Sequence, residues 1–324
     1  MTSINQFKNL VICGGGIKAY SLNGSFKALN NLDKMKYIEK ISGTSAGALY
    51  GVFVACKCTN KEIDEYTVKF YDELTTYSEG AIQQGYNMFN KLGLHDNKNI
   101  YNVVDNLLFD KFGQRKMTMK QLYDQTKIEF TTVATCLTTG KAVYMNYITL
   151  PDIEVAEAVM MSTAIPFYFV QVKWHGMVYC DGGTVDNFSI DYYDYANGRF
   201  NNETLGLHFK EAGSENPHNE TDSVLKLLTV IENAELENNE AQSIQQYDKR
   251  FIVEINVGNV KATDFDLTEK QKQMLLTNGY NAVVNFFAKY DATVVTDPVT
   301  TRTWSEYLWS WIVVKPQPIE TPKK

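Results

Sequence analysis

Histidine is scarce. The 324 residues contain four, His95, His175, His208 and His218, and no two stand at an HxH or HxxxH metal-pair spacing. Histidine-based metal chemistry is therefore not expected, and no cofactor is implied. Five cysteines, Cys13, Cys56, Cys58, Cys136 and Cys180, are too few, too scattered and odd in number to make a disulfide framework, which points to a reducing compartment. A basic excess is missing as well: 31 Lys and Arg against 38 Asp and Glu leave a formal charge of −7 and no global field to gather nucleic acid or hold an anionic membrane. No apolar run approaches the length of a membrane span. The one in MTSINQFKNLVICGGG, broken by Gln6, Lys8 and Asn9, is too short for a signal peptide. These absences indicate a cytoplasmic protein, at most peripheral to a membrane.

What is present describes a large globular chain, 44% apolar and 21% charged, with no repeat or Pro/Gly-rich linker to divide it. The apolar run Leu10 to Cys13 reads as a buried strand entering a glycine turn. Leu22, Phe26, Leu29 and Leu32 then recur at helical spacing. YIEKISGTSAGALYGVFVACK repeats the strand, turn, helix order. Residues 60–126 are tyrosine- and lysine-rich with helical patches and no strong strand signal, a helical insertion. From 127, two β-rich runs flank Thr138 to Lys141, residues 152–164 return to helix, and VKWHGMVYCDGG holds two short strands around His175 and Gly176. FIVEINVG (251–258) is another strand, and Thr268 with Gln271 is a capping-box signature before a long amphipathic helix. The pattern implies one α/β domain over 1–324, a central mostly parallel sheet flanked by helices in three layers, with 191–324 completing the sheet and adding C-terminal helices.

Three motifs can carry chemistry. Gly43-Thr44-Ser45-Ala46-Gly47 is GxSxG between a strand and a helix, where Ser45 can be a nucleophile on a strained turn. Its glycines, Gly43 and Gly47, let the flanking segments approach. The same residues also suit an ordinary tight turn. Gly14-Gly15-Gly16 sits at an earlier strand-to-helix turn whose free amides can stabilise an oxyanion. It also satisfies GxGxxG/A through Ala19, a dinucleotide fingerprint, but Glu39, the acidic residue at nearly the right separation, precedes the strand end that the fingerprint requires. Asp181, followed by Gly182 and Gly183, is a strand-end carboxylate able to partner Ser45 or merely to cap its own turn. An aspartate with an ordinary pKa near ~3.9 is a weak base, so the first role demands a desolvated site. Lys18 adds positive charge beside the glycine turn or is a solvated helix-start lysine.

Taken together the motifs resemble the patatin-like phospholipase family, related to the catalytic domain of cytosolic phospholipase A2. GGGIKAY, GTSAG, MSTAIPFYF (161–169) and CDGGTVDNFSI (180–190) follow the family's order within about residues 8–190, and FDLTEKQ resembles a C-terminal family segment. Ala19 departs from the usual glycine. The resemblance implies a patatin-like fold and a calcium-independent lipid acyl hydrolase working through a Ser45–Asp181 dyad and an acyl-enzyme. Gly14, Gly15 and Gly16 would form the oxyanion hole, supported by Lys18, Gly43, Gly47, Gly182 and Gly183.

The competing readings are a Ser–Asp–His esterase using His208 or His218 after Asp181, and a noncatalytic lipid-binding protein on the same fold. The partner expected is a lipid at a membrane or micelle interface. Trp304, Tyr307, Leu308 and Trp311 fall on one helical face, either a local membrane contact or part of the core.

Overall fold

The protein is described by a computed structural model covering residues 6–76, 93–194, 201–211 and 251–292. The candidate membrane residues Trp304, Tyr307, Leu308 and Trp311, together with His218, lie outside the described residues.

An eight-stranded sheet organises the chain in the order β10-β9-β1-β2-β4-β8-β7, with β5 also paired to β4. β1 (Asn9–Ile12) lies inside it, because NLVI is buried on both faces and has parallel neighbours on both edges, β2 (Lys40–Thr44) and β9 (Thr204–Glu211). Continuous apolar runs suit such doubly covered parallel strands. β10 (Ile252–Gly258) extends the parallel set beyond β9, and β4 (Glu129–Cys136), buried at all eight positions, extends it beyond β2.

The helices follow the local signals. α1 (Leu22–Asn31) presents the apolar face expected of Leu22, Phe26 and Leu29, and it packs against α7 (Glu269–Ala292). At the start of α7, Gln271 N–H donates to Thr268 Oγ1 while Thr268 N–H donates to Gln271 Oε1, the reciprocal cap that the sequence indicates. α2 (Ala46–Ala55) is buried along its whole length. α3 (Asn60–Thr76), α4 (Lys98–Phe112) and α5 (Met119–Thr126) fill most of the described part of 60–126. That span is not wholly helical: β3 (Gly93–His95) pairs with β6 (Phe167–Phe169) in a separate two-stranded sheet. Three residues held by a distant partner leave no periodicity to read.

β5 (Lys141–Met145) returns antiparallel to β4 after a turn at 137–140, and α6 (Val155–Ser162) follows. β7 (Val172–Trp174) and β8 (Met177–Asp181) form the hairpin around His175 and Gly176. The two faces of β2 have different covers. Ile41 faces Gly51 of α2, whereas Ser42 Oγ shares a 2.8 Å hydrogen bond with Ser189 Oγ and Thr44 Oγ1 donates to the Asp186 carbonyl. Helices therefore cover one face of this strand, and the chain leaving β8 covers the other.

The pairing of β4 brings two distant segments together. Thr132 and Val133 pair with β2 on one edge and β5 on the other. Ala134 to Cys136 still pair with β5, so β8, which also pairs with them, must occupy the edge that β2 has just vacated. β2 ends with Thr44 opposite Val133, and β8 ends with Asp181 opposite the next residue, Ala134. A parallel and an antiparallel strand thus meet end to end along one edge of β4. Among the described residues no helix is long and apolar enough to cross a membrane.

Candidate active site

The residue after β2 is Ser45, and the chain turns there from strand to helix at φ 54, ψ −127. A positive φ at a residue with a side chain costs on the order of 1–3 kcal/mol and persists only where its surroundings enforce it. Here the enforcement is close backbone approach. A Cβ on Gly43 would overlap the Gly47 carbonyl, and one on Gly47 would overlap the carbonyls of Ile12 and Cys13 at the end of β1. Gly47→Ala is accordingly expected to cost on the order of 2 kcal/mol or more of stability. Thermal melting checks this, and an unchanged Tm would remove the packing argument for that glycine.

The elbow points the Ser45 side chain at the end of β8. Ser45 Oγ donates to Asp181 Oδ2 at 2.6 Å, and Gly183 N–H donates to Asp181 Oδ1 at 2.8 Å. Both residues are buried, Ser45 6% and Asp181 5% exposed. Burial pushes the Asp181 carboxyl up to about 7, with the hydrogen bonds from Ser45 and Gly183 opposing that rise. The desolvation that a serine-activating aspartate needs is therefore present. The close approach of Gly182 to the Val133 carbonyl fits the loop tightly under the seam.

The glycine turn runs beside the same hydroxyl: a Cβ on Gly14 would come 3.1 Å from Ser45 Cβ. Its three amides are not equivalent. Gly14 N–H is committed to the Asn187 carbonyl at 3.0 Å, so it is not a free donor. Among the described residues the Gly15 and Gly16 amides donate to no backbone carbonyl, and neither does that of Ala46 at the first turn of α2. Unpaired amides at a strand-to-helix turn are the kind of donor that can stabilise an anion. Gly16 holds φ +54 with its α-carbon against the Ala262 carbonyl, which also accepts Ile17 N–H at 2.9 Å. Lys18 Nζ pairs with Glu211 Oε1 at the end of β9, so its charge ties the turn to the sheet.

Asn187 is a site residue that carries no separate sequence signal. Its carbonyl accepts Gly14 N–H, and its side-chain Nδ2 donates back to the Gly14 carbonyl at 3.3 Å. Six residues after Asp181, it links the loop that carries the acid to the loop that carries the amides. Asp186, beside it, accepts a 2.6 Å bond from Tyr144 Oη, and desolvation pushes its carboxyl up to about 7 as well.

The rival arrangements fare differently. His208 lies on β9 with its ring 5.3 Å from Phe188, while the Ser45 hydroxyl reaches Asp181 directly with no imidazole between them. The dinucleotide reading needs an acid at the C-terminal end of β2, where Ser45 stands, whereas Glu39 precedes the opposite end of that strand. Among the described residues no group of three His, Cys, Asp or Glu side chains is arranged to hold a metal ion.

Comparison with known proteins gives concordant matches. The profile of the patatin-like phospholipase family matches residues 10–194. An uncharacterized protein of Acanthamoeba polyphaga mimivirus is 26% identical over 296 residues, covering 87% of this chain and 94% of its own. A probable lipid hydrolase of Invertebrate iridescent virus 6 is 30% identical over 186 residues, 57% of this chain and 62% of that protein. Among solved structures, VipD of Legionella pneumophila superposes with a TM-score of 0.56 at 18% identity, over 88% of this chain and 67% of its own. ExoU, in its heterodimer with SpcU from Pseudomonas aeruginosa, gives 0.52 at 15% identity, over 88% of this chain and 52% of its own. At these identities the structures show a shared fold.

Proposed function

The chain belongs to the patatin-like phospholipase family, and from that premise we propose that it is a lipid acyl hydrolase that cleaves carboxylic esters of phospholipids or related lipids through a Ser45–Asp181 dyad. The observation that carries this reading is the buried 2.6 Å bond from Ser45 Oγ to Asp181 Oδ2. Ser45 Oγ attacks the ester carbonyl carbon as its proton passes to Asp181 Oδ2. Negative charge gathers on the carbonyl oxygen, where the amides of Gly15, Gly16 and Ala46, which donate to no backbone carbonyl among the described residues, stabilise it. Collapse of this intermediate breaks the bond to the alcohol, which leaves with the proton held by Asp181. Water then attacks the acyl-enzyme with Asp181 as base, releasing the fatty acid and restoring Ser45.

The raised pKa of Asp181 sets the pH dependence. Only the carboxylate accepts the serine proton, so kcat/KM should rise with pH through an acid limb at about 7. A limb near the ordinary aspartate value of ~3.9 would contradict this assignment.

His208→Ala should leave ester hydrolysis within about threefold of wild type, also in the presence of a metal chelator, because neither proton transfer passes through a histidine or a metal. Fatty-acid release from phospholipid vesicles is the measurement. Loss of turnover in a folded His208→Ala protein would favour a triad. We propose that the lipid is reached through a local apolar contact at a membrane or micelle surface, with 304–312 the first place to look; deleting 303–324 tests this, and unchanged vesicle binding by the folded variant would reject the contact.

A further inference from the structure

The hydrogen-bond register of the sheet leaves one rung open at the nucleophile. In a parallel pair the N–H of one residue bonds to the carbonyl preceding its partner, and only alternate residues face a given neighbour. Glu129 N–H donates to the Glu39 carbonyl, so the odd-numbered residues of β2 turn their backbone groups toward β4. Thr44 is opposite Val133. Continued by one residue, the ladder would bring Ser45 N–H to the Val133 carbonyl. The elbow lifts Ser45 away from that position, and the side chain of Ser162, the last residue of α6, fills the gap. Ser45 N–H donates to Ser162 Oγ at 3.0 Å, and Ser162 Oγ donates to the Val133 carbonyl at 2.5 Å. Ser162 is fully buried, 0% exposed.

Two residues further on, the same segment holds the other reacting side chain. The Ala164 carbonyl accepts Asp181 N–H at 2.9 Å. Ser162 to Ala164 therefore grip the backbone of both Ser45 and Asp181, one through a hydroxyl and the other through a carbonyl. A buried amide left without an acceptor is strongly disfavoured, which gives the Ser162 bond leverage over a strained φ.

We propose that Ser162 is a positioning residue: its hydroxyl replaces the missing ladder bond, holding the Ser45 elbow at the height that keeps Oγ against Asp181. This rests on the reading of Ser45 and Asp181 given above. Ser162 Oγ bonds the Ser45 amide and the Val133 carbonyl rather than the Ser45 hydroxyl. Its loss should act on the geometry of the dyad, which a generally loosened core would not do selectively. The Ser45 hydrogen bond is one of two that hold the Asp181 carboxyl down against burial. A displaced Ser45 Oγ therefore also moves the acid limb of activity to higher pH.

The test compares wild type, Ser162→Ala and Ser162→Thr on a soluble nitrophenyl ester and on phosphatidylcholine vesicles, recording kcat, KM and the acid limb of kcat/KM. Ser162→Ala is expected to lower kcat at least about tenfold with KM within about twofold, and to shift the limb upward. Ser162→Thr, which keeps the hydroxyl, should recover most of kcat. Should either variant fail to fold, Ser162→Cys keeps the volume while lengthening both bonds, and it is held to the same kcat and pH criteria. A folded Ser162→Ala or Ser162→Cys protein with kcat within twofold of wild type overturns the proposal. So does a loss of kcat that leaves the acid limb unmoved. Ser45→Ala is run alongside: if it retains turnover the dyad reading itself fails, whereas a dead Ser45→Ala with an unaffected Ser162→Ala rejects only the positioning role.

Discussion

Ser45→Ala is expected to reduce ester hydrolysis roughly 10⁴-fold or more, the scale on which removing a nucleophile leaves only binding and charge stabilisation. The expectation follows from what the side chain does in the fold. Its hydroxyl donates to Asp181, while the elbow is held by backbone groups, by Ser162 and by the approach of Gly43 and Gly47. Alanine keeps all of these, so Tm should change little while turnover disappears. Fatty-acid release and thermal melting on the same preparation give both readouts. Turnover within tenfold of wild type would mean that another residue attacks the ester.

Asp181→Asn is expected to lose about 10³- to 10⁴-fold in kcat and, in the same protein, to gain stability at alkaline pH. The amide cannot take the serine proton, although its Oδ1 can still accept Gly183 N–H and its Nδ2 can donate to Ser45 Oγ. The stability gain has a definite sign. Burial holds the Asp181 carboxyl at about 7, whereas in an unfolded chain it titrates near 3.8, so between these values the folded protein binds more protons. The stability linked to this group is fully present below about pH 4 and is lost as pH rises through about 7. By pH 8 the fold carries a buried carboxylate at a cost on the order of a few kcal/mol. The difference in Tm between Asp181→Asn and wild type should therefore be small at pH 4 and grow to several degrees at pH 8. Because both proteins keep Asp186, its own raised pKa cancels in the difference. A difference that stays flat with pH would show that the carboxyl is not held near neutrality.

These two residues were visible in the sequence for different reasons. Ser45 stands in a local pattern, since GxSxG between a strand and a helix marks a tight turn by its own glycines, although the pattern alone leaves an ordinary turn open. β1, α1, the β4–β5 and β7–β8 hairpins, and the Thr268–Gln271 cap were legible on the same grounds of short-range periodicity and turn chemistry. Asp181 was legible as a strand-end carboxylate, but its pairing with Ser45 came from the family resemblance. The physical cause of that pairing, β2 and β8 meeting along one edge of β4, is a property of strand order that no local signal contains.

What escaped the sequence has the same character. β9 gives a six-residue buried run, Thr204 to Phe209, whose strand identity depends on lying between β1 and β10. β3 exists only through its pairing with Phe167–Phe169. Asn187 and Ser162 act on Gly14 and Ser45, residues far away in the chain, through one hydrogen bond or two each. The commitment of Gly14 N–H to the Asn187 carbonyl is invisible until the loops are placed side by side.

The central claim is that the acyl group passes through Ser45 with Asp181 as the base. Rapid-quench mass spectrometry during turnover of a nitrophenyl ester tests it most directly. The account predicts an acyl adduct on the peptide containing Ser45, forming in wild type and in His208→Ala, and absent from Ser45→Ala. In Asp181→Asn its formation should be slowed in proportion to kcat. An adduct on another residue, or an active Ser45→Ala protein, would contradict it.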